Sequence, residues 1–154
     1  MKFRTRAAAI IFNDVNELLL VFHRSPITGE EWWTLPGGGI EGSENALETV
    51  VREVQEECGI ICNPGKLVYV REFLGEFKDL HHIELFFTAT ADSYRITTGH
   101  DPEIEQQYII ESRFLDRTEI ETTKINIYPE ILRNQFWEDL KAGFIGHNVY
   151  LGQQ

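Results

Sequence analysis

The sequence predicts an α/β fold, a single domain over residues 1–154 with a central mixed sheet flanked by helices. Three observations predict it. Apolar, strand-like runs alternate along the chain with segments of helical period. A glycine triplet, Gly37-Gly38-Gly39, separates the early strands from an amphipathic helix. No internal repeat, low-complexity segment or linker divides the chain, whose 154 residues suffice for a proper core.

The segments RAAAIIFN and ELLLVFHR read as two strands, separated by turn signals at Asn13-Asp14 and Asn16. SPITGEE is a loop, and EWWTL is a short aromatic strand. Pro36 and the glycine triplet break regular structure. Ser43 is the expected N-cap of a helix over residues 44–58, which Gly59 ends. KLVYVREFLGEF and HHIELFFTATA form a hairpin about the short Lys78-Asp79-Leu80 connection. His81 and His82 then read as one exposed and one sheet-facing imidazole, with no zinc site. TTGHDPEIE is a polar loop, and QQYIIESRFLDRTEI holds another strand. Pro129 opens a last amphipathic helix, PEILRNQFWEDLKAG, with Ile131, Leu132, Phe136 and Leu140 at helical spacing. The tail GFIGHNVYLGQQ carries no signal.

Composition excludes several classes. The net charge is −11, which argues against general binding to nucleic acid or anionic membrane. No apolar run approaches the roughly 20 residues that cross a bilayer. The start, MKFRTRAAAIIFND, has basic residues before an apolar run, but AAAIIF is short and lacks a cleavage pattern, so a first strand is expected there. Cys58 and Cys62 make no disulfide framework and too few ligands for zinc. Two thiols of this kind fit a reducing compartment, and the expected location is the cytoplasm.

The first helix carries the chemistry. On a wheel of about 100° per residue, Leu47, Val50, Val51, Val54 and Cys58 form the sheet-facing side. Glu53, Glu56 and Glu57 crowd a neighbouring flank, with Arg52 as their one nearby partner. Like charges at this spacing cost a few tenths of a kcal/mol per pair, ~0.2–0.5 in water. Two readings are open: a solvated charged face, or a site for a hard divalent cation that removes the repulsion. The bare backbone of Gly37-Gly38-Gly39, expected next to the amino-terminal end of the same helix, can offer a carbonyl to a metal or an amide to phosphate. Its bland alternative is a plain strand-to-helix turn.

Gly38, Glu44 after five intervening residues, Arg52-Glu53 after seven more, then Val54, Glu56-Glu57, Gly59 and Ile60 fill every fixed position of the Nudix signature box. The sequence resembles a MutT-like Nudix hydrolase over roughly residues 4–143, including Leu35-Pro36-Gly37. One departure is visible: Gly42 stands a place earlier than the glycine that many members carry before the first box glutamate. The resemblance implies a Nudix-type α/β/α sandwich. It implies that Glu56 and Glu57 ligate a metal with the carbonyl of Gly37. Glu53 holds the metal or its water, or acts as general base, and Arg52 fixes Glu53. Glu44 supports the loop or a second metal. Mg²⁺ is the expected cofactor, with Mn²⁺ as an alternative. The implied reaction is attack of water on a phosphorus atom of a diphosphate linkage.

A further carboxylate often comes from a later segment in this family, and Glu84, Glu103, Glu105 and Glu111 are the candidates, with slight weight on the loop bearing Glu103 and Glu105. Phe22, Trp32, Phe73 and Tyr108 are aromatic enough to stack on a base, though core or ordinary surface is the leading reading of each. Arg4, Arg6, Arg24 and Lys78 are the basic residues that could meet phosphates, against a default of facing solvent. The resemblance implies a small nucleotide or other diphosphate substrate. It is compatible with a homodimer. The chain shows no amino-terminal domain of the kind found in relatives that cleave ADP-ribose, which favours a nucleoside triphosphate or dinucleotide. The competing reading is a catalytically silent nucleotide-sensing domain of the same fold.

Overall fold

The computed structural model describes residues 1–75, 77–100 and 107–154. The first strands, β1 (Lys2–Ile11) and β2 (Leu18–Arg24), are buried on both faces through Ala7–Ile11 and Leu18–Phe22 in sequence. This explains their continuous apolar runs, since a strand covered on both sides has no polar alternation. β3 (Glu31–Thr34) follows, then β4 (Gly37–Gly39), the helix α1 (Ala46–Cys58), and the long hairpin β5 (Cys62–Leu74) and β6 (Leu80–Ala91). β7 (Ile109–Leu115), α2 (Arg117–Thr122), β8 (Asn126–Tyr128), a 3₁₀ turn at Glu130–Arg133, α3 (Phe136–Lys141) and β9 (Tyr150–Gln153) complete the order.

The strands make two mixed sheets. One has the order β4-β1-β6-β5-β9 and the other β7-β2-β3-β8. In the first, β1 runs parallel to β6 and antiparallel to β4. One core lies between the sheets and the carboxy-terminal helical segments, around Leu20, Tyr69, Phe86 and Phe136. The second lies beneath α1, where Ala7, Ala9 and Val21 meet Val50, Val54 and Cys58. The α/β class with its mixed sheet is thus observed, with helix α1 on one face.

Four details differ from expectation. The glycine triplet is not a break but a short edge strand paired to β1. Pairing of that kind needs only backbone, and glycine supplies it where a side chain could not fit: a Cβ on Gly37 would lie 2.6 Å from the Ala8 Cα. The helix cap is Asn45 and not Ser43. Asn45 has Glu48 three residues on, so the two close a reciprocal capping box at 2.9 and 3.1 Å. Leu47 is 42% exposed, while Thr49 and Glu57 are buried in its place. The last helix splits at Asn134, where Arg133 turns to donate to the carbonyls of Ile120, Thr123 and Ile125. The carboxy-terminal tail adds β9 alongside β5.

Candidate active site

The antiparallel register of β1 and β4 decides where the glycines point. Ala9 N–H donates to Pro36 O, and Ile40 N–H donates to Thr5 O. Alternation along the ladder then leaves the N–H and C=O groups of Gly37 and Gly39 directed away from β1. Both are used from α1. The Gly37 amide donates to Glu57 Oε1 at 2.8 Å, and Arg52 Nη2 donates to Gly39 O at 3.0 Å. Gly38 has a different part. A Cβ there would lie 2.8 Å from Glu53 Oε2 and nearer still to Oε1 and Cδ, so the Glu53 carboxyl rests against bare backbone.

Arg52 organises the acidic flank. It donates to Glu44 at 2.7 and 3.1 Å, to Glu53 at 2.9 Å and to Glu56 at 3.3 Å. The planar guanidinium, with five donors, suits this gathering of carboxylates. Glu44 also accepts from the Thr49 hydroxyl and the Glu41 amide, so it braces the loop ahead of the helix. Its hydrogen bond from Arg52 holds its carboxyl down at about 2. Glu53 departs the other way. Burial raises its carboxyl above the usual range, although Arg52 opposes the shift. Glu57 is buried, 6% exposed, at the foot of α1.

Arg52, Glu53, Glu56 and Glu57 therefore share one neighbourhood, as the helical spacing predicted, and Gly37 joins them near the carboxy-terminal end of α1 and not at the amino-terminal end where the glycine run was expected. They border a cleft of about 680 Å³ that opens between the sheets. In this arrangement no three of the described His, Cys, Asp and Glu side chains converge tightly enough to cage a metal ion. Arg52 draws Glu53 and Glu56 to itself, and Glu57 is turned to the Gly37 amide. The donor set is nonetheless all oxygen, which suits a hard cation, and Glu53 has space because Gly38 lacks a side chain.

Of the later carboxylates, Glu84 lines the cleft and Glu111 sits half-exposed on β7 beside Arg113. Glu103 and Glu105 lie outside the described residues. Glu84 is buried between Arg6 at 3.1 Å and Arg71 at 2.9 Å. Burial pushes its carboxyl up, and the two guanidiniums more than reverse this, leaving it below the usual range. Arg4 and Arg6 reach the cleft, whereas Arg24 is taken by Glu31 at 2.6 Å. Lys78 belongs to the β5–β6 turn.

The expectation for the aromatics needs correction. Phe22 is core, but Trp32, Phe73 and Tyr108 all line the cleft. His23 stacks on Trp32, with ring centroids 5.4 Å apart and 9° between planes. Sequence reading missed His23, His82 and Arg71 as cleft residues. The signal for the last two was present: Arg71-Phe73 and His82-Glu84 alternate along their strands, so each pair shares a face.

The NUDIX domain profile matches residues 2–135. The zebrafish (Danio rerio) 8-oxo-dGDP phosphatase NUDT18 is 42% identical over 64 residues, 42% of this chain and 19% of that protein. The uncharacterized Nudix hydrolase YvcI of Bacillus subtilis is 37% identical over 98 residues, 61% of this chain and 58% of that one. The chain thus matches less than two thirds of the length of either relative. In structure, a NUDIX hydrolase from Nitrosomonas europaea superposes with a TM-score of 0.72 at 23% identity, covering 92% of this chain and 90% of the other. With the box on α1, the glycine strand and the two mixed sheets in place, the chain belongs to the Nudix hydrolase family.

Proposed function

We propose that the protein is a divalent-metal-dependent diphosphohydrolase acting on a nucleoside diphosphate derivative, a nucleoside triphosphate or a dinucleotide. The observation that carries this reading is the gathering of Glu44, Glu53 and Glu56 on Arg52, beside the Glu57–Gly37 contact, at the border of a cleft that also holds Arg4 and Arg6. Acidic and basic groups face one space, as recognition of a phosphate with its cation demands.

Glu53, Glu56, Glu57 and the outward carbonyl of Gly37 would hold Mg²⁺ or Mn²⁺. A cation bound there supplies neutralisation of the phosphate oxygens and activation of the attacking water. Arg52 keeps Glu53 in one orientation by a charge-assisted hydrogen bond. Where Glu53 does not itself ligate the cation, it would hold the cation's water or accept a proton from it. The Gly37 amide aims Glu57, and Glu84 keeps Arg6 extended along the cleft wall toward substrate phosphate. Cys58 and Cys62 are buried free thiols, with burial pushing Cys62 up to about 11. They support a reducing, cytoplasmic setting. No helix among the described residues is long and apolar enough to cross a membrane.

The test is a panel of nucleoside triphosphates, dinucleoside polyphosphates and nucleotide sugars, assayed for phosphate or nucleotide release with Mg²⁺ and with chelator. Metal-dependent release from at least one class is expected. Tight binding of a panel member without turnover would favour the nucleotide-sensing reading instead.

A further inference from the structure

The three glutamates of the acidic flank are not held alike by α1. Glu53 lies inside the helix, where the backbone ladder fixes it on both sides. Glu56 and Glu57 lie in the last turn, whose carbonyls have no partner further along the helix. Helix ends fray, so a side chain there is placed only as well as its turn is held. The cap residue Gly59 meets one of these carbonyls, its N–H donating to Gln55 O at 3.0 Å.

The rest of that turn is met from outside the helix. Thr97 N–H donates to Cys58 O at 2.9 Å, and Gly99 N–H donates to Glu57 O at 2.9 Å. Glu57 O also accepts from the Ser112 hydroxyl at 2.8 Å. Gly99 passes against Glu56: a Cβ there would lie 1.6 Å from Glu56 O, so only glycine fits. Ser112 N–H in turn donates to Thr98 Oγ1 at 3.0 Å. Residues 97–99 are thus a strap, stitched on one side to the end of α1 and on the other to β7.

Ser112 stands in apolar company. It is 5% exposed, and both its register partner Val21 and its same-face neighbour Phe114 belong to the core beneath α1. An apolar side chain would pack there without desolvating a hydroxyl. What the hydroxyl holds is the backbone of Glu57, whose carboxylate takes the Gly37 amide. One residue is therefore gripped at both ends, its carbonyl from the strap and β7 and its side chain from the glycine strand.

From this we infer that Ser112 and the strap residues Thr97–Gly99 are positioning residues, which set the backbone of the last turn of α1 and through it aim Glu56 and Glu57 at the cation. The inference rests on the proposed function and deepens it, since it finds outside the signature box the groups that fix the ligand geometry. Neither Ser112 nor the strap touches cation or substrate in this role; both act through the helix backbone. Coupling of this kind is reciprocal, so a strap that improves the cation site must itself be tightened by the cation.

The test uses the full chain and Mn²⁺ alone, with binding read by electron paramagnetic resonance, so no turnover is needed. Ser112→Ala removes the hydroxyl and should raise the Kd for Mn²⁺ about tenfold. Ser112→Thr keeps the hydroxyl on a residue that suits a strand, and its Kd should stay within about threefold of wild type. Gly99→Ala, whose Cβ cannot pass Glu56, should raise Kd at least as far as Ser112→Ala. Ile120→Val, in the inter-sheet core, should lower the urea midpoint yet leave Kd within about twofold. A Ser112→Ala Kd within twofold of wild type, an equal rise in Ile120→Val, or a Ser112→Thr protein as weak as Ser112→Ala would overturn the inference. Amide hydrogen exchange of the wild-type protein covers variants that do not fold. Saturating Mn²⁺ should slow exchange at Thr97 and Gly99 about fivefold and leave Thr123, at the end of α2, unchanged. Unmoved Thr97 and Gly99 amides at saturating Mn²⁺ would equally overturn it. A wild-type protein that takes up no Mn²⁺ would sink the hydrolase reading and this inference with it, so the two failures are told apart.

Discussion

Gly38→Ala should inactivate the site while leaving the fold in place. The added Cβ would lie 2.8 Å from Glu53 Oε2 and closer to Oε1, whereas ordinary contact begins at 3.4 Å. The Glu53 carboxyl must therefore withdraw by about 1 Å, and a misplacement of that size costs on the order of 10²-fold in rate. The atoms displaced are the end of a side chain, not backbone. Alanine in a strand is itself favoured over glycine by about 0.5–1 kcal/mol, which offsets part of the strain. Stability by urea denaturation should change by less than about 1 kcal/mol. Gly37→Ala makes the contrast: its Cβ would meet the Ala8 Cα at 2.6 Å, in rigid backbone, and should unfold or severely destabilise the protein. Steady-state kcat with Mg²⁺ and urea midpoints for the two variants check the pair. A Gly38→Ala protein within threefold of wild-type activity would refute the placement of Glu53.

Other outcomes follow from the same geometry. Glu57→Gln keeps an acceptor for the Gly37 amide, so it should stay folded while turnover falls by about 10²-fold or more, read by kcat and circular dichroism. Glu84→Gln leaves Arg6 and Arg71 facing one another without their carboxylate, and urea unfolding should report a loss of about 3–5 kcal/mol. His23 and His82 should titrate at about 4 in the folded protein, through burial and the nearby Arg6. The unfolded chain protonates these rings below about 6.5, so stability should fall as pH drops from that point toward 4. Histidine NMR titration measures both, and midpoints near 6.5 would contradict the burial argument.

Much of the candidate site's geometry was legible because it is local. Arg52, Glu53, Glu56 and Glu57 lie within two turns of one helix, and their relative placement follows from helical period alone. The strands β1 and β2 were equally plain, since burial on both faces writes an unbroken apolar run. What sequence did not disclose is contributed by pairing. Nothing in Gly37-Gly38-Gly39 itself says that β1 will recruit it as an edge strand; the decision lies in the close approach of Ala7 and Ala8. Ser43 and Asn45 are both good caps, and only the Glu at position 48 separates them. The cleft floor depends on the registers of β1 with β6 and β6 with β5, which bring Arg4, His82 and Phe73 abreast from distant parts of the chain. Short edge strands such as β8 and β9 have too few residues to show a period at all.

In the proposed hydrolase the acidic edge of α1, against the glycine strand, takes up a divalent cation together with substrate phosphate. The most direct measurement is anomalous scattering from crystals grown with Mn²⁺ and a non-hydrolysable nucleotide. A manganese peak against the carboxylates of Glu53, Glu56 and Glu57, next to Gly37 and the nucleotide's diphosphate, is the predicted result. Nucleotide bound in the cleft with Glu53 and Glu56 still held by Arg52 and no manganese beside them would contradict it.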